Sequence, residues 1–313
     1  MDKRMMGPVE VSRLCFGSLT MTPSQGNLSH KEGANLIINA FERGVNFLDT
    51  AEYYENYEYI RLALESIPRD EFIIATKTYA YDVNGAKKAF EDACKALNTD
   101  YIDIFMLHEQ EDINTLNGHY EALEELFRLK ELGYIRAVGI STHKVAAVRA
   151  SLKFKEIEII HPMINYKGLG ILDGTKDEML DAIKAAHKQG IGIYGMKILG
   201  GGHLIDTAEY AINWALDQEF LDSIALGMQS EEELISNICL FEGKEVPESV
   251  KDKLKTKNRT IEIEDYCTGC GKCVKRCQAN AIDIIGGTAH INEKCILCSY
   301  CAAICPEFCI KVY

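Results

Sequence analysis

The chain reads as an α/β protein: a closed (β/α)8 barrel followed by a small α+β unit toward the C-terminal end. Three features of the 313 residues point there. From Val11 to about Leu240, short runs rich in Val, Ile and Phe alternate with longer segments whose apolar residues recur at helical spacing. The short runs are apolar nearly throughout, as strands covered on both faces must be. Beyond Phe241 this pattern gives way to charged sequence and then to two cysteine runs of identical spacing.

The strand candidates are VSRLCFG from Val11, VNFLDTA from Val45, EFIIATK from Glu71, YIDIFMLH from Tyr101, IRAVGIST from Ile135, IEIIHPMIN from Ile157, IGIYGMKI from Ile191 and SIALGM from Ser223. Helical patterns follow them, among them KEGANLIINAFERG from Lys31, GHYEALEELFRLKELG from Gly118 and TKDEMLDAIKAAHKQG from Thr175. Gly44, Gly133 and Gly190 close three of these helices, since a chain leaving a helix through a left-handed residue favours glycine. Eight such pairs imply a TIM barrel, with an open doubly wound sheet as the alternative. In a barrel, chemistry belongs at the C-terminal ends of the strands.

The boundaries follow the pattern: residues 1–243 as the barrel, 244–259 as a charged linker and 260–313 as the second unit. A net charge of −13 argues against a nucleic-acid partner, because phosphate contact needs clustered Lys and Arg. The one basic run, Lys251, Lys253, Lys255, Lys257 and Arg259, reads as a solvated hinge, the sharper alternative being a dock for an acidic protein. No stretch nears the roughly 20 apolar residues of a membrane span, and the start lacks the apolar core of a signal peptide. Eight of the 12 cysteines sit in the tail runs, unlike a disulfide framework, so a reducing, cytoplasmic setting is expected. Cys15, Cys94, Cys239 and Cys309 read as small buried apolar residues.

The tail begins CTGCGKCVKRC from Cys267, and Cys295, Cys298, Cys301 and Cys305 repeat its x2, x2, x3 spacing, followed by Pro306. Paired zinc knuckles would waste the third cysteine of each run. The run resembles bacterial two-cluster ferredoxins. That resemblance implies two [4Fe-4S] clusters, one held by Cys267, Cys270, Cys273 and Cys305, the other by Cys295, Cys298, Cys301 and Cys277. Gln278 stands where the first run would have its Pro. About 50 residues are too few to fold on apolar burial alone, so the clusters would supply most of the folding energy of this unit.

At the strand ends of the barrel stand Asp49 in FLDTAEYY, Lys77 in IIATK and His108 in FMLHE, with Tyr54 just beyond Asp49. A Lys beside a Tyr hydroxyl favours the phenolate, and a buried Asp keeps the Lys charged and in place. Tyr54 could then protonate a developing alkoxide while His108 orients the carbonyl oxygen. Singly, such residues serve as salt bridges; together, in this order, they resemble the aldo-keto reductases over roughly residues 4–240. The resemblance implies reduction of a small aldehyde or ketone by a nicotinamide cofactor, with these four as the catalytic tetrad.

It also implies a cofactor cleft. The carboxamide grip falls on Ser141, Thr142 and Asn165, with Met196 where the family stacks an aromatic ring. Lys197 with Gly200 to Gly202 would face the pyrophosphate. The adenosine end would take Gly227, Gln229, Ser230, Glu233 and Asn237. That stretch holds carboxylates and no Arg or Lys, which favours NAD over NADP. A hydride carries two electrons and each cluster one, so a splitter such as a flavin stays open, although no flavin fingerprint is visible. Three functions follow: an oxidoreductase whose clusters serve electron transfer, with a carrier protein as partner; an ordinary NAD-dependent reductase whose clusters serve docking, stability or redox sensing; or an electron-transfer or redox-sensing protein whose barrel is a binding scaffold.

Overall fold

A computed structural model describes residues 1–23, 25–255, 260–298 and 300–312. Lys257 and Arg259 of the basic run lie outside them. A hairpin of β1 (Lys3–Met6) and β2 (Val9–Ser12) comes first. The strands β3 (Leu14–Gly17), β4 (Phe47–Asp49), β5 (Ile73–Thr78), β6 (Ile102–Leu107), β7 (Ile135–Thr142), β8 (Ile159–Pro162), β9 (Gly192–Gly195) and β10 (Ser223–Gly227) then close a parallel barrel, β10 pairing with both β9 and β3. Closure decides against the open sheet.

The expected first strand, VSRLCFG, is in fact divided between the hairpin and the barrel. Met6, Val9 and Val11 of the hairpin pack with Cys15, Phe47, Ile104 and Tyr194 inside the barrel and plug its N-terminal end. Fully burying each large apolar side chain there is worth roughly 1.5 to 3 kcal/mol. A bulkier residue at Gly192 would bring its Cβ within 2.6 Å of Met6, so this glycine is what admits the hairpin.

Among the described residues ten helices follow the strands or pack beside them: α1 (His30–Glu42), α2 (Tyr57–Ala63), α3 (Val83–Leu97), α4 (Ile113–Gly118), α5 (Tyr120–Glu131), α6 (Val145–Ser151), α7 (Lys176–Lys188), α8 (Ala208–Leu216), α9 (Glu231–Phe241) and α10 (Glu248–Lys255). Local chemistry sets their starts. Ser29 with Glu32 and Thr175 with Glu178 form reciprocal capping boxes at α1 and α7, and Asp82 caps α3. The stretch expected to be a charged linker contains α10, which buries Val250, with Val246 buried just before it, and pairs Lys253 with Glu232. No helix of the described residues is long and apolar enough to cross a membrane.

The tail pairs β11 (Ile261–Ile263) with β14 (Ile310–Val312) and β12 (Ile282–Ile285) with β13 (Thr288–Ile291); the short α11 (Lys272–Arg276) lies between β11 and β12. Gly286 and Gly287, both at positive φ, make the two-residue turn of the second hairpin. The core of this unit is small and rich in sulfur: Cys273, Cys301 and Cys309 with Ile282, Ala289, Ala302 and Ile310.

The tail is seated on the mouth of the barrel. Val312 donates its N–H to Gly201 O at 3.0 Å, and His203 Nε2 donates to Ile310 O at 2.6 Å. Phe308 packs on Gly170, where a Cβ would come within 2.7 Å of its ring.

Candidate active site at the barrel mouth

The strand ends bring the four expected residues together. Lys77 Nζ donates to Asp49 at 2.8 Å and to Thr50 O at 2.7 Å, both side chains being almost wholly buried. Tyr54 sits in the turn after β4, its ring centroid 5.0 Å from Lys77 Nζ and 5.8 Å from the His108 ring. A buried ammonium held by a carboxylate therefore stands beneath a phenol and an imidazole.

Burial pushes the Tyr54 phenol well above its ordinary value, and Asp49 adds to the effect. The direction is opposite to the one expected from Lys77 alone, whose charge is already committed to Asp49. Tyr54 is held protonated at neutral pH, as a donor must be. Burial, then Lys77, holds His108 well below the usual imidazole range, so it is neutral, and its Nδ1 has no hydrogen-bond partner among the described residues.

Several neighbours escaped the sequence reading. Tyr194 of β9 donates its hydroxyl to Asp49 Oδ1 at 2.8 Å. His161 of β8 stacks on the Tyr194 ring at 3.8 Å and donates from Nδ1 to Tyr194 O at 2.7 Å. Asp49 is thus braced from β5, β8 and β9 at once. On the other side Tyr79 stacks on His108 at 4.6 Å while its hydroxyl bonds Glu109 at 2.6 Å, which fixes the imidazole plane. A Tyr inside an apolar strand run carries no local sign that it turns inward to a carboxylate.

The expected cofactor residues end β7 and β10 or come after β8, β9 and β10, on the C-terminal side of the strands. Ser141 Oγ accepts from Glu109 N–H at 2.9 Å and keeps its own proton to donate; Thr142 Oγ1 accepts from Lys144 N–H at 2.9 Å. Both ends of the Asn165 amide are spent on Leu169, at 2.9 Å each. Met196 is half-buried beside Lys197. The N–H groups of Gly200 and Gly202 bond within their own loop, to Lys197 O and Leu199 O. Gly202 also carries the tail: a Cβ there would lie 1.7 Å from Val312 O. The hydroxyls fit the ring end of a nicotinamide, whereas the glycine loop is turned to the tail strand.

At the adenosine end Gly227 packs against Thr20, and Gln229 N–H donates to the Glu233 carboxylate at 2.7 Å. Ser230 caps α9 by accepting from Glu233 N–H, and Asn237 is buried within that helix. Two cations reach this end from distant sequence, Arg43 paired with Glu231 and Lys253 with Glu232. No local motif announced them.

In the tail Cys267, Cys270, Cys273 and Cys305 line one cavity, and Cys309 joins them with its sulfur 3.4 Å from that of Cys305. Ala289 N–H points at Cys267 Sγ, 3.4 Å away, a donor of the kind that stabilises cluster sulfur. Of the second set, Cys301 is buried, Cys298 is exposed, Cys295 lies between, and Cys277 Sγ accepts from Ala281 N–H at 3.3 Å. The thiols of the first set thus converge on a space fit for a cluster.

Comparison with known proteins matches these two parts. The model of the aldo/keto reductase family matches residues 13–207, and that of the 4Fe-4S dicluster domain residues 259–306. Methylglyoxal reductase DkgA of Escherichia coli O157:H7 is 26% identical over 201 residues, 60% of this chain and 72% of that protein. L-galactose dehydrogenase of Arabidopsis thaliana is 24% identical over 209 residues, covering 63% and 65%. The fold is that of the aldo-keto reductase AKR11C1 from Bacillus halodurans in its holo form, with TM-score 0.62 at 20% identity over 82% of this chain and 95% of that one. A second aldo-keto reductase, MGS-M4 from a deep-sea metagenome library of the Medee basin, superposes with TM-score 0.61 at 20% identity over 79% and 92%. With a closed barrel, a matched family model over most of its length and a cysteine-rich tail, this chain belongs to the aldo/keto reductase family and carries a C-terminal 4Fe-4S dicluster domain.

Proposed function

We propose that this chain reduces a small aldehyde or ketone to the alcohol, with a nicotinamide's hydride and the Tyr54 proton completing that reduction, and that two [4Fe-4S] clusters in the tail exchange single electrons with a partner protein in a traffic separate from the hydride. The observation that carries this reading is the Tyr54–His108 pair above the buried Lys77–Asp49 pair. A nicotinamide, when bound, supplies the hydride. Lys77 keeps a positive field under Tyr54 as its proton leaves, and Asp49 prevents that charge from drifting. His108, neutral and fixed by Tyr79, orients the carbonyl oxygen. Ser141 and Thr142 would hold the carboxamide. The name methylglyoxal reductase given to one relative supports a small carbonyl compound as the substrate class. Among the described residues the cations at the adenosine end, Arg43 and Lys253, are paired with Glu231 and Glu232, which favours NAD over NADP. Free cysteines and clusters suit a reducing compartment, so we read the chain as cytoplasmic.

Replacing Tyr54 by Phe should lower kcat for carbonyl reduction by about 10²- to 10⁴-fold, the usual worth of a positioned proton donor, with iron content unchanged. A second reading, an electron-transfer protein with a scaffold barrel, is favoured by the spent amide of Asn165 and the covered glycine loop. The same variant separates the two. An unchanged rate in Tyr54→Phe would remove the tetrad from catalysis, whereas absence of turnover in wild type and variant alike would select the scaffold.

A further inference from the structure

The strand β14 alternates its side chains as any strand does, and with Ile310 in the sulfur-rich core of the tail, Lys311 turns the other way, toward the barrel. It is only 5% exposed there. Its Nζ lies 4.0 Å from the centroid of the Phe308 ring and hydrogen-bonds Phe308 O. Lys197, just past β9, faces the same ring, with Nζ 5.8 Å from the centroid. Lys197 also holds φ at +56°, a left-handed conformation that is unfavourable for a non-glycine residue and that tends to mark functional positions.

Two ammoniums beside one buried ring repel each other in a medium that screens them poorly. A buried charge ordinarily finds an ion-pair partner. Among the described residues neither Lys197 nor Lys311 has a carboxylate within 4 Å. The carboxylates whose charge reaches Lys197 are Glu109 and Glu264, the latter acting on Lys311 also, and Glu109 already receives the hydroxyl of Tyr79. Burial lowers the pKa of both lysines, and for Lys311 the charge of Lys197 adds to the effect. Lys197 follows β9 on the side of the barrel where His108 follows β6, and the stem of Lys311 packs on Gly201 of the same loop, which places the pair at the mouth of the barrel. His108 brings a nearly buried, unpartnered Nδ1 to the same mouth.

From this arrangement we infer that Lys311 of the dicluster tail and Lys197 of the barrel form one composite anion subsite, and that the substrate is a carbonyl compound bearing a carboxylate or phosphate. This rests on the proposed carbonyl reduction and narrows its substrate. The tail would then complete the substrate site, because the bonds of Val312 to Gly201 and of Ile310 to His203 fix Lys311 over the mouth. An anion of the same chemistry could come from the pyrophosphate of a cofactor, so the test separates the two sources.

Anaerobic holoprotein is titrated calorimetrically with oxamate, a carbonyl next to a carboxylate, and with its neutral counterpart oxamide. Oxamate should bind about tenfold or more tightly than oxamide, and Lys311→Met and Lys197→Met should each remove most of that difference, as expected for charge-assisted bonds. Lys311→Arg should restore it. Iron content of each variant shows that the tail is still folded. Equal binding of oxamate and oxamide overturns the proposal. It is also overturned if Lys311→Met weakens inorganic pyrophosphate but not oxamate, since the pair then belongs to the cofactor. A Lys311→Met variant that shifts the cluster reduction potential and leaves oxamate binding intact overturns it too, making Lys311 a counter-charge to the cluster. Turnover by Tyr54→Phe would sink the catalytic reading without touching the oxamate result, so the two failures are distinct.

Discussion

At the scale of single residues, the design of the site is the bracing of Asp49. Lys77, Tyr194 and, behind it, His161 meet this carboxylate inside the barrel. His161 is buried and neutral: desolvation lowers its pKa to about 4, opposed by Asp49 and reinforced by Lys77 and Lys197. Its folded pKa therefore lies below the ordinary 6.5, and the unfolded chain binds the extra proton first as pH falls. The stability contributed is full above about pH 6.5 and is lost progressively toward pH 4, an effect on the order of 3 kcal/mol. Urea unfolding of wild type and His161→Gln, each at pH 7.5 and pH 5, checks this: the variant should lose clearly less stability on acidification. Equal losses would mean that the acid limb belongs to other groups. The sequence made the tetrad legible because its members sit at strand ends in a fixed order. It hid Tyr194 and His161, whose roles depend on which face of a closed barrel they meet.

At the scale of elements, the seam between β14 and the loop after β9 decides how the two parts are joined. Gly201 and Gly202 are both at positive φ, and Gly202 passes so close to Val312 that no side chain fits. Gly202→Ala should force β14 off the loop and break the bond from Val312 N–H to Gly201 O. Gly243→Ala is the matched control, since Gly243 has positive φ but open space around its Cα. Hydrogen exchange should show the Val312 amide losing protection by tenfold or more in Gly202→Ala and little change in the control. Unchanged protection in both would mean that the seam is not held by this contact. The three glycines suggested a phosphate cradle in the sequence, because a run of glycines marks close backbone approach without saying to what. Helix α10 is masked in the sequence by its charge, although Val246, Val250 and Leu254 recur every four residues within the expected linker. The strands and longer helices, by contrast, follow from period and capping alone, as Ser29 with Glu32 and Thr175 with Glu178 show.

At the scale of the whole molecule, a tail with a small, sulfur-rich core is set over a barrel with a large apolar one. Its small core draws three of its seven buried members from cysteine, against the long list of Ile, Leu, Val and Phe that packs the barrel. Structural metal sites contribute folding energy directly, so loss of the clusters should unfold the tail and spare the barrel. Because β14 and Phe308 rest on the mouth, unfolding the tail also withdraws Lys311 from it. Holoprotein and chain stripped of iron by chelation under oxidation are compared by limited proteolysis and far-ultraviolet circular dichroism. The stripped chain should be cut readily within residues 260–312 while a fragment of barrel size persists with most of the helical signal. A tail that stays protected without iron would show that apolar packing and the seam suffice. Loss of the barrel signal along with the tail would show instead that the two parts fold as one, with the seam carrying more of the stability than its few hydrogen bonds imply.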